Sequence, residues 1–253
     1  MKVTCDIPNT WIELQEAVCK YLNEAGYSAE SPKTIQTVRG KIEVDVYAVA
    51  KNELIRTFIC ECKHWSTAVP KEKVHAFRTA VHDSGATLGI LIAKSGFQSG
   101  AIEAAQYSNV LLKDWEGFLG LIERQWTLNK LVNLRRIAHP LSVYTDPLDI
   151  PYNELSQEKR EEYKRLTLKY TNLYLFGRQL NISLLQKESL EINGIVFSSC
   201  SSLFAYLEKE YLQAISEYNA VFEGCTFDTY KFEFSGYMLF ELMDDIFDGR
   251  IEL

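Results

Sequence analysis

Apolar residues recur along this chain at two spacings. Trp11, Leu14, Val18 and Leu22 return every three or four positions, which predicts a helix over 11–23 with one buried face. Asn9 and Thr10 can cap its start, and Gly26 can end it. The segments "KIEVDVYAVA" (41–50) and "LIRTFICECK" (54–63) are rich in β-branched and aromatic residues and flank the polar "KNE", which predicts a hairpin. A helix follows over 71–84, with Val74, Phe77, Ala80 and Val81 on one face, and then "ATLGILIAK", a continuous apolar run suited to a central strand. "SGFQSGAIEAAQYSN" predicts another helix, "VLLKDW" a short strand and "EGFLGLIERQW" a further helix. This order describes an α/β (α+β) domain, a mixed β-sheet covered by helices on both faces.

The texture changes near residue 131. Three prolines (140, 147 and 151) fall within twelve positions, and the pattern then turns acidic and rich in tyrosine. We therefore expect a first domain over 1–130, a linker over 131–152 and a smaller α+β domain over 153–253 serving oligomerisation or partner binding. In that domain the pattern predicts a long helix over 156–179, a strand near "LEINGIVF" and a helix over 201–219. A strand in "GCTFDTYKFEFSG" and a closing helix in "YMLFELMDDIF" complete it. No internal repeat is visible.

Composition narrows the classes. With 47% hydrophobic and 24% charged residues over 253 positions, a packed core is expected and disorder is not. No apolar run is long enough to span a membrane, and "MKVTCDIPNTW" lacks the continuous apolar segment of an export signal, so a cytoplasmic location is expected. Six cysteines (5, 19, 60, 62, 200 and 225) show neither CxxC nor zinc-type spacing and are expected to be reduced. Up to residue 130, 15 Lys and Arg meet 15 Asp and Glu; from 131 onward 12 meet 19, so the formal charge of −7 sits in the C-terminal half. A polyanion would have to be handled by local patches of the N-terminal half: Lys63, Lys71, Lys73, Arg78 and Lys94.

One stretch breaks the apolar logic. In "FICECKHW" (58–65) the alternation of a strand puts Glu61 and Lys63 on one face and Cys60 and Cys62 on the other, where the cysteines act as small core residues. On the preceding strand Glu43, Asp45 and Tyr47 alternate with Val44 and Val46, so one face of the hairpin collects Asp45, Glu61 and Lys63, with Glu43 either joining them or standing as a solvated or salt-bridged strand residue. Charges half removed from water need mutual salt bridges or a bound cation. Two carboxylates suit Mg²⁺, which keeps several waters and binds through few protein ligands plus substrate phosphate. A lysine two positions on can orient or deprotonate a bound water and stabilise charge on a phosphate. His64 and Trp65 follow directly, either against substrate or as packing at the sheet edge. Gln98 and Ser99 open the "SGFQSG" helix, either aiming N–H groups at a phosphate or serving as ordinary caps.

An Asp followed on the next strand by Glu-x-Lys, here "VDV" and then "ECK", resembles the PD-(D/E)xK nuclease superfamily. The wider pattern is similar to its Mrr-like restriction endonuclease branch. "LQEAVCKYLNEAGY" resembles that family's opening helix, "RGKIEVDVYA" its glycine-then-aspartate strand, and "LGILIAKSGFQSGAIEAAQYSNVLLKDWEGFLGLIE" its later strand, helix and short strand. The likeness covers about residues 11 to 123. Many members carry Gln-x-Lys where this chain has Glu-x-Lys, the stronger metal ligand. The resemblance implies a restriction-endonuclease-like fold and a metal-dependent endonuclease that hydrolyses DNA phosphodiester bonds. Asp45 and Glu61 would hold Mg²⁺, with Mn²⁺ able to substitute, and Lys63 would assist the attacking water. Gln15 falls where the family's opening helix carries a glutamate; it looks inward, and with Glu16 beside it would complete the surroundings of the ion. Glu16, His64, Gln98 and Ser99 are the candidates for contact with substrate. A role in bacterial restriction or antiphage defence is implied, including as the nuclease subunit of a multi-component system. The balanced charge of the domain points to a homodimer or a partner subunit for further DNA contacts. Two other classes fit the same pattern: an inactive nuclease-fold assembly subunit, and a nuclease directed at RNA such as tRNA.

Overall fold

The first helix, α1 (Trp11–Glu24), starts where the Thr10 hydroxyl accepts the N–H of Glu13. In this computed structural model, which describes residues 1–50, 57–227 and 229, the chain divides into two compact units. One is Cys5–Lys130; the other joins Met1–Thr4 to the chain from Leu131 onward.

In the first unit Gly26, at φ 91°, turns the chain out of α1 into β1 (Ser28–Glu30). There follow β2 (Lys33–Thr37), β3 (Gly40–Val44), β4 (Val46–Val49), β5 (Thr57–Lys63), α2 (Lys71–Ser84), β6 (Leu88–Ala93), α3 (Ser99–Ala105), β7 (Val110–Lys113) and α4 (Trp115–Tyr144). The main sheet runs β1-β4-β5-β6-β7. β1 and β5 pair antiparallel to β4, whereas β5, β6 and β7 run parallel, with α2 and α3 as the connections. The expected mixed sheet with helices on both faces is present. The "KNE" turn lies outside the described residues.

Two features were not legible in the pattern. The strand expected over 41–50 is two strands broken at Asp45, because β3 pairs with β2 in a separate hairpin while β4 joins the main sheet. β1 and β2 are short and mostly polar, so they show little alternation of apolar residues, and of the hairpin's apolar side chains Ile35, Ile42 and Val44 turn toward the core.

That core lies between the sheet and α2, where Ile59 and Leu91 meet Val74, Phe77 and Val81. Helix and sheet come so close that a Cβ on Gly89 would lie 2.4 Å from Val81 Cγ2 and 2.8 Å from Phe77 Cε1. On the other face α1 is held to β5 by Trp11, whose Nε1 donates to the carbonyl of Cys62 at 3.1 Å. Tyr21 of α1 packs edge-on to Trp115 at 5.9 Å.

The second unit is mostly helical. α4 continues to Tyr144, so most of the stretch expected as a linker is helix, and Pro140 sits inside it. Helices α5 (Gln157–Gln179), α6 (Ile182–Leu185) and α7 (Cys200–Val221) follow, with a two-stranded hairpin, β8 (Leu190–Ile192) and β9 (Ile195–Phe197), turned at Asn193 and Gly194 with φ 51° and 78°. Its interior is aromatic: Tyr144 stacks on Tyr218 at 5.1 Å and on Phe222 at 5.6 Å. α5 and α7 touch at Gly177, where a Cβ would fall 1.7 Å from Tyr211 Oη. The strand expected in "GCTFDTYKFEFSG" falls largely, and the closing helix "YMLFELMDDIF" wholly, outside the described residues.

Candidate active site at the Asp45 bend

Asp45 stands where the chain turns from the small hairpin into the main sheet. The last register pair of β4 and β5 is Val46 with Cys60. Beyond it Asp45 Oδ2 accepts the N–H of Cys62 at 2.6 Å, so a carboxylate takes the place of the next ladder bond. The Asp45 carbonyl in turn accepts Nε2 of Gln15 at 2.8 Å. Side chain and main chain of Asp45 are thus tied to two different elements, β5 and α1.

On β5 the expected alternation holds. Cys60 and Cys62 are buried, while Glu61 and Lys63 are half-buried on the side that Ile59 shares with α2. Lys63 Nζ pairs with Glu61 Oε1. Burial pushes the Glu61 carboxyl above its ordinary range; the hydrogen bond from Lys63 draws it back, and the charge of Asp45 raises it again. Lys73, from the first turn of α2, is a further cation acting on Glu61. The indole of Trp65 lies between the two lysines, with its centroid 5.6 Å from Lys63 Nζ and 5.9 Å from Lys73 Nζ. Trp65 is fixed through its carbonyl, which accepts Oγ of Ser95 at 2.7 Å. This cluster lies at the C-terminal ends of the parallel strands β5 and β6, where open α/β sheets place their ligand crevices.

The other candidates divide. Gln15 is buried at 6% exposure and acts on the Asp45 backbone, a positioning contact. Glu16, its neighbour, is exposed. Glu43 is exposed opposite Thr34 in the small hairpin and is not among the charges acting on Glu61. His64 sets Nε2 3.3 Å from the Pro8 carbonyl and lines a cavity of about 200 Å³ with Leu14, Ile92 and Trp115, residues of the sheet's α1 side. Gln98 and Ser99 are exposed, and the N–H of Gln98 is given to the Val69 carbonyl at 3.0 Å, so it is not free for a phosphate. Sequence reasoning placed Lys73 only in a general basic patch. A sharper signal was available: α2 opens with Lys71 and Lys73 and has no side-chain cap, against the preference of a helix N-terminus for anions.

The donor set fits a hard divalent cation. Asp45 and Glu61 supply carboxylate oxygens whose mutual repulsion a cation would relieve. Burial raises both thiols, Cys60 and Cys62, so neither is a ready thiolate ligand. Among the described residues no group of three or more His, Cys, Asp or Glu could hold an ion, so the remaining ligands would be water and substrate oxygens, as Mg²⁺ accepts.

Comparison with known proteins gives one family match. Residues 9–122 match the model of the restriction endonuclease family, the Mrr-type catalytic domain. No curated protein matches the chain. Among solved structures, the crystal structure of a protein of unknown function, AF1548, is similar at 16% identity and a TM-score of 0.40, covering 66% of this chain and 100% of that one. No helix among the described residues is long and apolar enough to cross a membrane. With its mixed sheet and its D…ExK residues on adjacent strand ends, the unit spanning residues 9–122 is an Mrr-like, restriction-endonuclease-type nuclease domain of the PD-(D/E)xK superfamily.

Proposed function

We propose that this protein is a metal-dependent endonuclease that hydrolyses DNA phosphodiester bonds. The observation that carries the reading is the convergence of Asp45, Glu61 and Lys63 at the ends of two adjacent strands, with Lys73 and Trp65 at the mouth. Such half-buried charge is costly, and groups held this way cluster at functional sites. Asp45 and Glu61 would hold Mg²⁺ or Mn²⁺, and the bound ion would supply Lewis-acid stabilisation of phosphate charge and an acidified water. Lys63, released from Glu61, would present its ammonium to the water or to a phosphate oxygen, orienting the one or offsetting the negative charge that develops on the other. Gln15 would keep Asp45 in place through its backbone. Trp65 and Lys73 would hold the strand, the indole against a sugar or base and the ammonium on a flanking phosphate.

Domain and family fit a role in bacterial restriction or antiphage defence, in the cytoplasm, with the unit from Leu131 onward serving self-association or a partner subunit. The test is digestion of plasmid DNA and of tRNA by the purified chain with Mg²⁺, Mn²⁺ or EDTA, alongside Asp45→Asn and Lys63→Ala. Cleavage of DNA that requires the ion and is lost in both variants supports the reading. Cleavage of tRNA alone would transfer it to RNA. An ion-independent melting temperature together with no cleavage would identify an assembly subunit that has kept the fold without the chemistry.

A further inference from the structure

Away from the catalytic cluster, the C-terminal half of α2 borders an open groove of about 580 Å³ with the tip of the β2–β3 hairpin and the segment between α3 and β7. His75, Arg78 and His82 line it at helical spacings of three and four, so they form one stripe along the helix. Arg39 enters from the hairpin tip, its side chain 74% exposed. The one carboxylate among the described lining residues, Asp83, is 9% exposed and already engaged by Arg39 Nε at 2.9 Å and by His82 Nδ1 at 3.3 Å. Arg78 gives Nη1 to the Ala104 carbonyl and keeps its other donors. The groove therefore presents two guanidinium groups and two imidazoles, with no unengaged acid among the described residues that line it.

Tyr107 marks the same groove. It is fully exposed and holds a left-handed backbone at φ 55°, a conformation costly for a bulky side chain and here not repaid by burial. An aromatic ring held in water beside arginine and imidazole is suited to a ligand that offers both phosphates and flat or sugar surfaces.

The donors lie in a line. At 1.5 Å per residue, His75 and His82 stand about 10 Å apart along the helix, a length that carries about three phosphates of one nucleic acid strand. Donors that converge on a point suit a single phosphate, whereas a line suits a chain of them. The same helix carries Lys73 near its other end, beside the catalytic cluster and about half a turn around from this stripe, and its 14 residues span about 21 Å, or about six base pairs.

We propose that this groove is a second contact for the phosphodiester backbone of a DNA duplex whose scissile phosphate lies at Asp45 and Glu61. The proposal rests on the nuclease reading above and gives its substrate a contact near each end of α2, on opposite sides of the helix. It also adds two guanidinium groups, Arg78 on the helix and Arg39 on the hairpin tip beside it, to the lysines at the catalytic cluster.

The test is binding of the full chain in EDTA to fluorescent DNA duplexes of about one and about three helical turns, across a salt series. Thr79→Glu places a carboxylate inside the groove, and Leu121→Glu makes the same charge change on the exposed face of α4. Tyr107→Gly removes the ring and relieves the backbone, so it keeps or raises the melting temperature. Expected are a loss of about tenfold in affinity for the longer duplex with Thr79→Glu, a salt slope lower by about one, and a smaller loss with Tyr107→Gly. The short duplex should respond less, and Leu121→Glu should match the wild type. Equal behaviour of Thr79→Glu and Leu121→Glu would overturn the groove, as would wild-type protein that binds no duplex. Loss of binding in the groove variants of a protein that never cleaves would instead leave the groove standing and remove the nuclease reading.

Discussion

The unit of residues 5–130 and the unit from Leu131 onward place their polar groups in opposite ways. The first keeps charges half-buried at a strand edge, where Glu61 is held above its ordinary protonation range and Lys63 leans on it. The second buries phenols: Tyr163, Tyr170, Tyr211 and Tyr218 are raised above their ordinary range, mainly by burial. A buried hydroxyl brings ring area to a core at a modest polar cost, whereas a half-buried carboxylate facing another carboxylate adds no apolar contact. The contrast separates a unit arranged for chemistry from one arranged for packing.

The largest test of that contrast acts on the catalytic side alone. Asp45→Asn or Lys63→Ala is expected to cut DNA cleavage by about a thousandfold. The melting temperature should stay close to that of the wild type. A large fall in stability from Lys63→Ala would mean that the ion pair with Glu61 is structural, and the contrast would fail.

The next tests overpack each unit. Gly177→Ala pushes a methyl against Tyr211 Oη and is expected to cost about 2–3 kcal/mol; Tyr211→Phe in the same chain should recover part of it by removing that oxygen. Gly89→Ala meets Val81 and Phe77 and is expected to cost about 1–3 kcal/mol. All four tryptophans, Trp11, Trp65, Trp115 and Trp126, lie in the first unit, so their fluorescence reports on it alone. Gly89→Ala should lower the fluorescence midpoint and also weaken cleavage, because α2 carries Lys73. Gly177→Ala should lower the helical circular dichroism signal first and leave the cleavage of folded protein intact.

The same pair of signals reads a pH effect. Burial raises the Tyr218 phenol from 10.0 to about 12, with Tyr211 raised as well. The folded state therefore keeps protons that the unfolded state releases. Stability from these groups is fully present below pH 10 and is lost as pH rises through the window up to about 12. Tyrosinate absorbance beyond that of exposed phenols such as Tyr107 should appear together with loss of helical signal, before tryptophan emission changes. If both signals move together, the two units melt as one.

How much of this was legible in the sequence follows from spacing. α2 and β6 were visible because long runs of apolar residues at one period leave few alternatives, and Glu61 and Lys63 were visible because a strand's alternation places side chains without further knowledge. The break at Asp45 was not, since "KIEVDVYAVA" alternates without interruption across it; only the pairing of β3 with β2, a contact with polar partners, shows that the chain changes sheets there. Glu43 was grouped with Asp45 by that same uninterrupted alternation and lies apart because of the bend. His64 follows the same rule, on the packing side of the two readings open to it. Alternation continued one step beyond Lys63 sends its ring toward the Pro8 carbonyl. The groove along α2 needs a hairpin tip and a loop distant in sequence, and no local pattern announces such a meeting.

The smallest expected effects sharpen the division among the polar residues around Asp45. Gln15→Ala removes the donor to the Asp45 carbonyl and should lower cleavage by about tenfold, through the backbone that aims the carboxylate. Gln15→Glu should be no better, although a glutamate is what the resemblance implies at this place. A carboxylate cannot donate to a carbonyl, and it would add a third acid beside two that already repel. Were Gln15→Glu to raise both cleavage and the ion-dependent melting shift, the residue would be a position for a metal ligand and not a brace for Asp45. Glu16→Ala and Gln98→Ala serve as controls, the first because its side chain faces water and the second because its N–H is already given to Val69. Both should cleave within about twofold of the wild type, the range usual for surface changes. Equal losses at Gln15 and Glu16 would show that the effect is not particular to the Gln15 hydrogen bond, whereas a loss at Gln15 alone assigns it to that bond.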